Sequence, residues 1–333
     1  MQQAEALKTL IQTTKKSVIT THHKPDADAL GSSLALKLYL EKKGHQVHVV
    51  SPTDYPEFLY WMPGNDTVLI YEGNQVKANE MAMNADVIFC VDFNALSRIN
   101  NFSDAVKKSP AKKVMIDHHL QPEDFADIVF SDPSAASTTQ ILYELIKQLG
   151  DEKLIDVNIA ECLYAGVMTD TGSFRHSNTN KKVHEMAAAL MDVGISSAKI
   201  HQLIFDNNSE LRLRLLGYSI SQKLTVLENK HTAYITLSAE ELERYKAKTG
   251  DTEGLVNYAL SIKGIELAAL IVERPDCVRM SFRSRGDFDV NEFARQHFSG
   301  GGHKNAAGGC SSASLEDTVK KFVAVLNNYN GKL

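Results

Sequence analysis

Short apolar, often β-branched runs recur through the first half of the chain, and helical periodicity alternates with them. The pattern predicts strands over residues 17–21, 46–51, 87–91, 113–116 and 128–130. It predicts helices over 29–43, 137–149 and 155–168, the first two closed by Gly44 and Gly150 as helix-terminating glycines. Most of these strand runs are apolar at consecutive positions, as expected of strands covered on both faces. Strand–helix alternation of this kind builds a doubly wound, mainly parallel sheet, so the predicted class is α/β.

The rhythm changes after about residue 190. Residues 181–191 and 196–219 read as helix, the second polar and carrying Arg212 and Arg214. Strands are predicted at 232–237, 267–272 and 278–282, and helices at 290–297 and 315–326. Between these helices lie a glycine-rich loop at 299–302 and a small-residue run at 306–309. We therefore expect a domain over 1–190, a helical linker over 191–220 and a smaller α/β domain over 221–333.

With 333 residues, 43% of them hydrophobic, the chain can bury sizeable cores. A net charge of −5 argues against a long nucleic acid tracked by a broad basic surface, but leaves room for a small phosphorylated ligand. Of the four cysteines, Cys90 and Cys162 sit in apolar runs and read as buried thiols. None forms a CxxC pair, and disulfides are unexpected in what reads as a cytoplasmic enzyme. No basic leader opens the chain and no apolar run is long enough to span a bilayer, so no membrane partner is expected.

Acids and imidazoles collect at the ends of the apolar runs. The first cluster, His22-His23-Lys24-Pro25-Asp26-Ala27-Asp28, precedes a helix; Asp92 ends the run 87–91; Asp117-His118-His119 ends 113–116; Asp170 ends the apolar helix. Each Asp alone reads as a cap or a turn residue. Together they stand where open α/β sheets bind ligands, at the carboxyl ends of strands. An oxygen-rich Asp/His set suits Mn²⁺ or Mg²⁺, and it is large enough for two ions sharing a bridging ligand. Two ions roughly 3.5–4 Å apart activate a water and stabilise the charge of phosphoryl transfer. No nucleophile elbow competes, and Gly300-Gly301-Gly302 lacks the Gly-Lys-Ser/Thr ending of a P-loop.

In this order the four clusters resemble the DHH phosphoesterase superfamily. The run Gly300-Gly301-Gly302-His303-Lys304-Asn305-Ala306-Ala307-Gly308 resembles the signature of its associated DHHA1 domain. Length and layout are most similar to the oligoribonuclease/pAp phosphatase branch. The resemblance implies one metal on His22 and Asp26, a second on Asp28, His118 and Asp170, and Asp92 bridging both. It implies that Asp117 orients an imidazole and that His119 contacts the scissile phosphate, so the catalytic group is Asp92, Asp117 and His119. Spacing favours His22 over His23, and Lys24 stands where the family has Asn. In the second domain, Arg283, Arg285, Gly301, Gly302 and His303 are implied to bind substrate; alternate spacing places both arginines on one strand face. Arg98 and Arg175 follow motif acids and are expected within reach of the cleft.

The expectation is a two-metal phosphoesterase, most simply Mn²⁺-dependent, acting between two domains on short RNA or 3′-phosphoadenosine 5′-phosphate (pAp), with a homodimer possible. Competing substrates are cyclic or linear dinucleotides and polyphosphate or pyrophosphate. Two further classes compete: a non-catalytic nucleotide sensor, which would lack some ligands, and a scaffold whose aspartates only cap helices.

Overall fold

The computed structural model describes residues 2–328. It separates into two compact units, Met1–Asn207 and Asn208–Leu333. The first contains α1 (Gln2–Thr13), β1 (Lys16–Thr20), α2 (Ala27–Lys42), β2 (Gln46–Ser51), β3 (Leu69–Ile70), α3 (Gln75–Asn84), β4 (Val87–Val91) and α4 (Ser103–Lys108). It continues with β5 (Lys112–Asp117), β6 (Ile128–Ser131), α5 (Thr138–Gln148), α6 (Val157–Asp170), α7 (Lys181–Asp192) and α8 (Ser197–Phe205). The six strands form one sheet in the order β3-β2-β1-β4-β5-β6, and every pair is parallel.

The uninterrupted apolar runs are explained by burial on both faces. Along β4, Val87, Phe89 and Val91 pack with helices α2, α5 and α6, while Ile88 and Cys90 face the opposite layer with Ala78, Ala82 and Val106 of α3 and α4. Strand order reverses between β1 and β4, and the ends of these two strands carry His22 and Asp92. That switch point is where a doubly wound sheet opens a crevice.

Helices α2 and α6 cross backbone to backbone. A Cβ on Gly31 would lie 2.5 Å from the Cys162 carbonyl oxygen, and one on Gly166 would lie 2.7 Å from Asp28 Oδ1. Only glycine permits both approaches.

The stretch expected as one helix over 196–219 is two. Asp206, Asn207, Asn208 and Ser209 favour side-chain-to-backbone bonding over helix, and Ser209 caps α9 (Glu210–Gln222) by accepting from Arg212 N–H. The second unit then holds β7 (Leu224–Leu227), β8 (Thr232–Leu237), α10 (Ala239–Arg244), α11 (Leu255–Leu260), β9 (Leu267–Glu273), β10 (Val278–Ser284), α12 (Val290–His297), β11 (Gly301–His303), β12 (Ala306–Ser311) and α13 (Leu315–Asn328). Its mixed sheet runs β11-β12-β10-β9-β8-β7, with β8 and β9 the parallel pair. Alternate residues of β9 again feed two cores, one with Phe282, Phe293 and Phe322 and one with Leu215, Leu237 and Leu255.

Two expectations are corrected here. The glycine-rich stretch is not a loop: Gly301–His303 pairs with Ala306–Gly308 as a hairpin. The chain can lie this close because a Cβ at Gly300 would sit 2.0 Å from the Gly308 carbonyl oxygen. Cys277 and Cys310 form a disulfide, because the β10–β12 register puts Val278 opposite Ser311. Cys90 and Cys162 are buried free thiols.

Candidate metal centre

His22 follows β1, and its ring is fixed by its Nδ1, 2.8 Å from the His23 carbonyl oxygen, which can only accept. Nε2 is therefore the atom left for ligation, and it lies 3.3 Å from Asp92 Oδ2. Asp26 is both things its position allowed: its Oδ1 caps α2 by accepting from Asp28 N–H and Ala29 N–H, and it faces the cluster with His22 and Asp92. Asp28 occupies the first turn of α2 and is fully buried.

Asp92 follows β4 with a positive φ of 63°, a backbone region that costs a non-glycine residue about 1–3 kcal/mol and persists only where its surroundings enforce it. Here they do: its N–H donates to the Ile116 carbonyl at 2.9 Å, and its carboxylate accepts from the Thr138 hydroxyl at 2.7 Å. His118 Nε2 lies 3.4 Å from Asp170 Oδ2, 3.6 Å from Asp92 Oδ1 and 3.9 Å from Asp28 Oδ2. Asp117 accepts from the His119 backbone N–H at 3.0 Å and from its Nδ1 at 2.7 Å, which makes Nε2 the ring nitrogen not bonded to Asp117.

Three triads of donor atoms in the first unit share Asp92: two consist only of proposed metal ligands, and the third joins Asp92 to Asp117 and His119. His22, Asp26 and Asp92 offer ligand atoms within 4.8 Å of one another, and so do Asp28, Asp92 and His118. Asp170 joins the second triad through His118. The structure thus brings all six proposed metal ligands to the strand ends, with Asp92 in the middle.

The electrostatics fit a cation. Burial and the neighbouring Asp92 charge push the Asp28 carboxyl up, because two carboxylates without a counterion cannot both ionise cheaply in a buried space. Burial also works against ionised Asp92, but the hydrogen bond from His22 and the surrounding imidazoles overcome it and hold that group down. Burial pulls His22 down too, yet its bond to Asp92 wins and raises it. Burial draws His119 down to about 4 against the pull of Asp117, with the Arg98 guanidinium acting in the same direction. A divalent ion held there would relieve the repulsion between Asp28 and Asp92, and the mixed oxygen–nitrogen donor set suits such an ion.

Sequence reasoning missed Thr138 and Thr139, which hold the carboxylates of the cluster. Both Asp28 oxygens accept from the first turn of α5: Oδ2 from Thr138 N–H at 2.6 Å, and Oδ1 from Thr139 N–H at 3.0 Å and Thr139 Oγ1 at 2.7 Å. The signal was present as Ser137-Thr138-Thr139 at a helix start after a strand tip, but it reads as simple capping. Asn178 links Asp170 to this turn by donating to the carbonyls of Ala136 and Asp170, each at 3.2 Å.

Other predicted residues fall differently. Lys24 pairs with Asp54. Arg98 receives His23 N–H and Nδ1 on its carbonyl, and its charge reaches His22 and His119. Arg175 is exposed and donates to Gly172 of its own loop. Arg283 lies in β10, but the strand ends at Ser284 and Arg285 stands in the following turn, its N–H donating to the Glu266 carbonyl. Strand alternation therefore does not carry over to Arg285. Gly301, Gly302 and His303 form β11 of the second unit.

A parallel sheet with carboxylates and imidazoles at its switch point, followed by a glycine-hairpin unit, defines a phosphoester hydrolase of the two-domain DHH class. Residues 16–167 match the DHH family, N-terminal domain, and residues 230–332 match the DHHA1 domain. The chain belongs to the DHH/DHHA1 phosphoesterase family. It is 30% identical over 296 residues to the bifunctional oligoribonuclease and PAP phosphatase NrnA of Bacillus subtilis (strain 168), across 87% of this chain and 88% of that one. An exopolyphosphatase-related protein from Bacteroides fragilis superposes with a TM-score of 0.93 at 40% identity, covering 98% of this chain and 96% of its own. A crystal structure of exonuclease RecJ bound to manganese shares the fold at a TM-score of 0.52 and 14% identity, with 98% and 94% covered.

Proposed function

We propose that this chain uses two divalent cations, Mn²⁺ foremost, to hydrolyse short oligoribonucleotides and pAp. The observation that carries this reading is the pair of ligand triads meeting at Asp92. The similarity to NrnA supports the substrate class. His22 and Asp26 would hold one ion, Asp28, His118 and Asp170 the other, and Asp92 both. When bound, such ions supply Lewis-acid charge and lower the pKa of a coordinated water.

The chain's own residues do the rest. Thr138 and Thr139 hold Asp28 and Asp92 in place before any ion arrives, so little reorganisation accompanies binding. Asp117 keeps the proton on His119 Nδ1, leaving His119 Nε2 to meet the scissile phosphate. Arg283, Arg285 and His303, with the backbone of Gly301 and Gly302, bind the remainder of the substrate in the second unit.

The test is turnover by EDTA-treated protein restored with Mn²⁺ or Mg²⁺, on pAp, RNA of two to five nucleotides, linear and cyclic dinucleotides, and polyphosphate. Restoration by Mn²⁺ with preference for pAp or short RNA is expected. Polyphosphate as the best substrate would favour the second reading, which the 40% identity to an exopolyphosphatase-related protein supports. Activity undiminished by chelation would defeat the metal assignment.

A further inference from the structure

The second unit contains a cation that the family motifs do not mark. Arg295 lies on α12, five residues before the glycine run, and its Nε donates to Asn291 Oδ1 at 3.1 Å. Asn291 is buried, 5% exposed, and the same Oδ1 accepts Gly302 N–H at 2.9 Å. One buried amide oxygen therefore ties the guanidinium to the glycine hairpin. The guanidinium lies against Gly301: a Cβ there would be 3.3 Å from Arg295 Nε and 3.5 Å from its Cζ.

Register shows what shares that face. Gly301 and His303 are two apart on β11, so they present the same side. His303 pairs with Ala306, and Ala306 pairs with Arg283. Residues directly opposite in antiparallel strands project to the same face. Arg283, Ala306 and His303 thus share one face of the sheet, and Arg295 meets the hairpin at Gly301, a position with no side chain.

Among the described residues the two terminal nitrogens of Arg295 have no hydrogen-bond acceptor and no carboxylate partner, and the residue is exposed. An arginine fixed through Nε alone keeps its paired Nη groups as a ready bidentate fork for a phosphate. We propose that Arg295, positioned by Asn291 against Gly301, binds a phosphate of the substrate other than the one being cleaved. The inference rests on the nucleotide hydrolase reading and deepens it: the preferred substrates carry a second phosphate, as pAp and 5′-phosphorylated RNA do.

The test compares wild type, Arg295→Ala and Arg295→Lys, each loaded with Mn²⁺, on pAp and on bis(p-nitrophenyl) phosphate, which has no second phosphate. For Arg295→Ala, KM for pAp is expected to rise about 10-fold or more with kcat within a factor of two. Constants for bis(p-nitrophenyl) phosphate and Mn²⁺ affinity by calorimetry should not move. Lysine should recover only part of the loss. An unchanged KM for pAp, or an equal loss on both substrates, overturns the proposal. If wild type cleaves the aryl ester but not pAp, the nucleotide reading falls. Arg295 is then judged by inhibition of aryl ester cleavage by adenosine 5′-monophosphate: a raised inhibition constant in Arg295→Ala upholds phosphate binding, and an equal one rejects it.

Discussion

The two units handle charge in opposite ways. In the first, Asp28, Asp92 and Asp117 are nearly or fully buried; Asp28 and Asp92 accept hydrogen bonds from α5, and Asp117 accepts from His119 just after it. In the second, Arg285 and Arg295 are exposed, and Arg283 lies half-buried near a floor of glycine and alanine. Buried like charges are costly without a counter-cation, so the first unit is suited to hold one. Exposed arginines carry little desolvation cost, so the second suits a ligand that must bind and leave.

The largest expected effect tests the buried half of this contrast. Asp92→Ala removes the residue common to both triads, and kcat should fall on the order of 10³-fold or more, since each ion contributes several kcal/mol. Circular dichroism should remain native and calorimetry should show Mn²⁺ binding weakened at both positions; substantial residual turnover would break the bridging assignment. A smaller effect probes whether preorganisation matters. Thr138→Val deletes the hydroxyl on Asp92 while keeping the volume, and should weaken Mn²⁺ about 10- to 100-fold, the usual range for groups that orient ligands. Thr138→Ser should restore most of it, and a valine variant with wild-type metal affinity would show that Asp92 needs no such support.

The smallest effect lies away from the ligands and asks whether burial tunes groups outside the centre. His45 is buried, with Nε2 2.8 Å from the Ile11 carbonyl and Nδ1 2.9 Å from the Ser17 hydroxyl. Burial lowers its pKa. The folded state therefore prefers neutral His45, while the unfolded chain takes up the proton near pH 6.5. Stability from this group is complete above that value and declines as pH falls below it toward the depressed folded value. Thermal melts from pH 7.5 to 5.5 should drop by about 2 °C on this account, and His45→Gln should reduce the slope. An identical slope in the variant would remove His45 from the acid response.

Much of this was legible in the sequence, for physical reasons. Strands buried on both faces announce themselves as unbroken apolar runs, as at Val87–Val91 and at residues 114–116 within β5. Acids and imidazoles at their ends stood out against that background. What escaped depended on register or on tertiary approach. Thr138 and Thr139 look like any helix start until α5 is seen to aim at Asp28. Cys277 and Cys310 are 33 residues apart and meet only because β10 and β12 pair. Arg295 sits in an ordinary amphipathic helix, and its role depends on a glycine across the space. The break at 206–209 was hidden because helical periodicity resumes on both sides.

The crossing at Gly31 has a consequence for how the centre is calibrated. Helix α2 carries Asp28 in its first turn and α6 ends in Asp170. Their spacing is set where a glycine meets the carbonyl of Cys162, main chain against main chain. A stop made of side chains can yield by changing rotamer; one made of peptide groups cannot. The distance between these two helix-borne carboxylates is thus gauged like a caliper closed on its hard stop, and a single methyl group at position 31 would reset it.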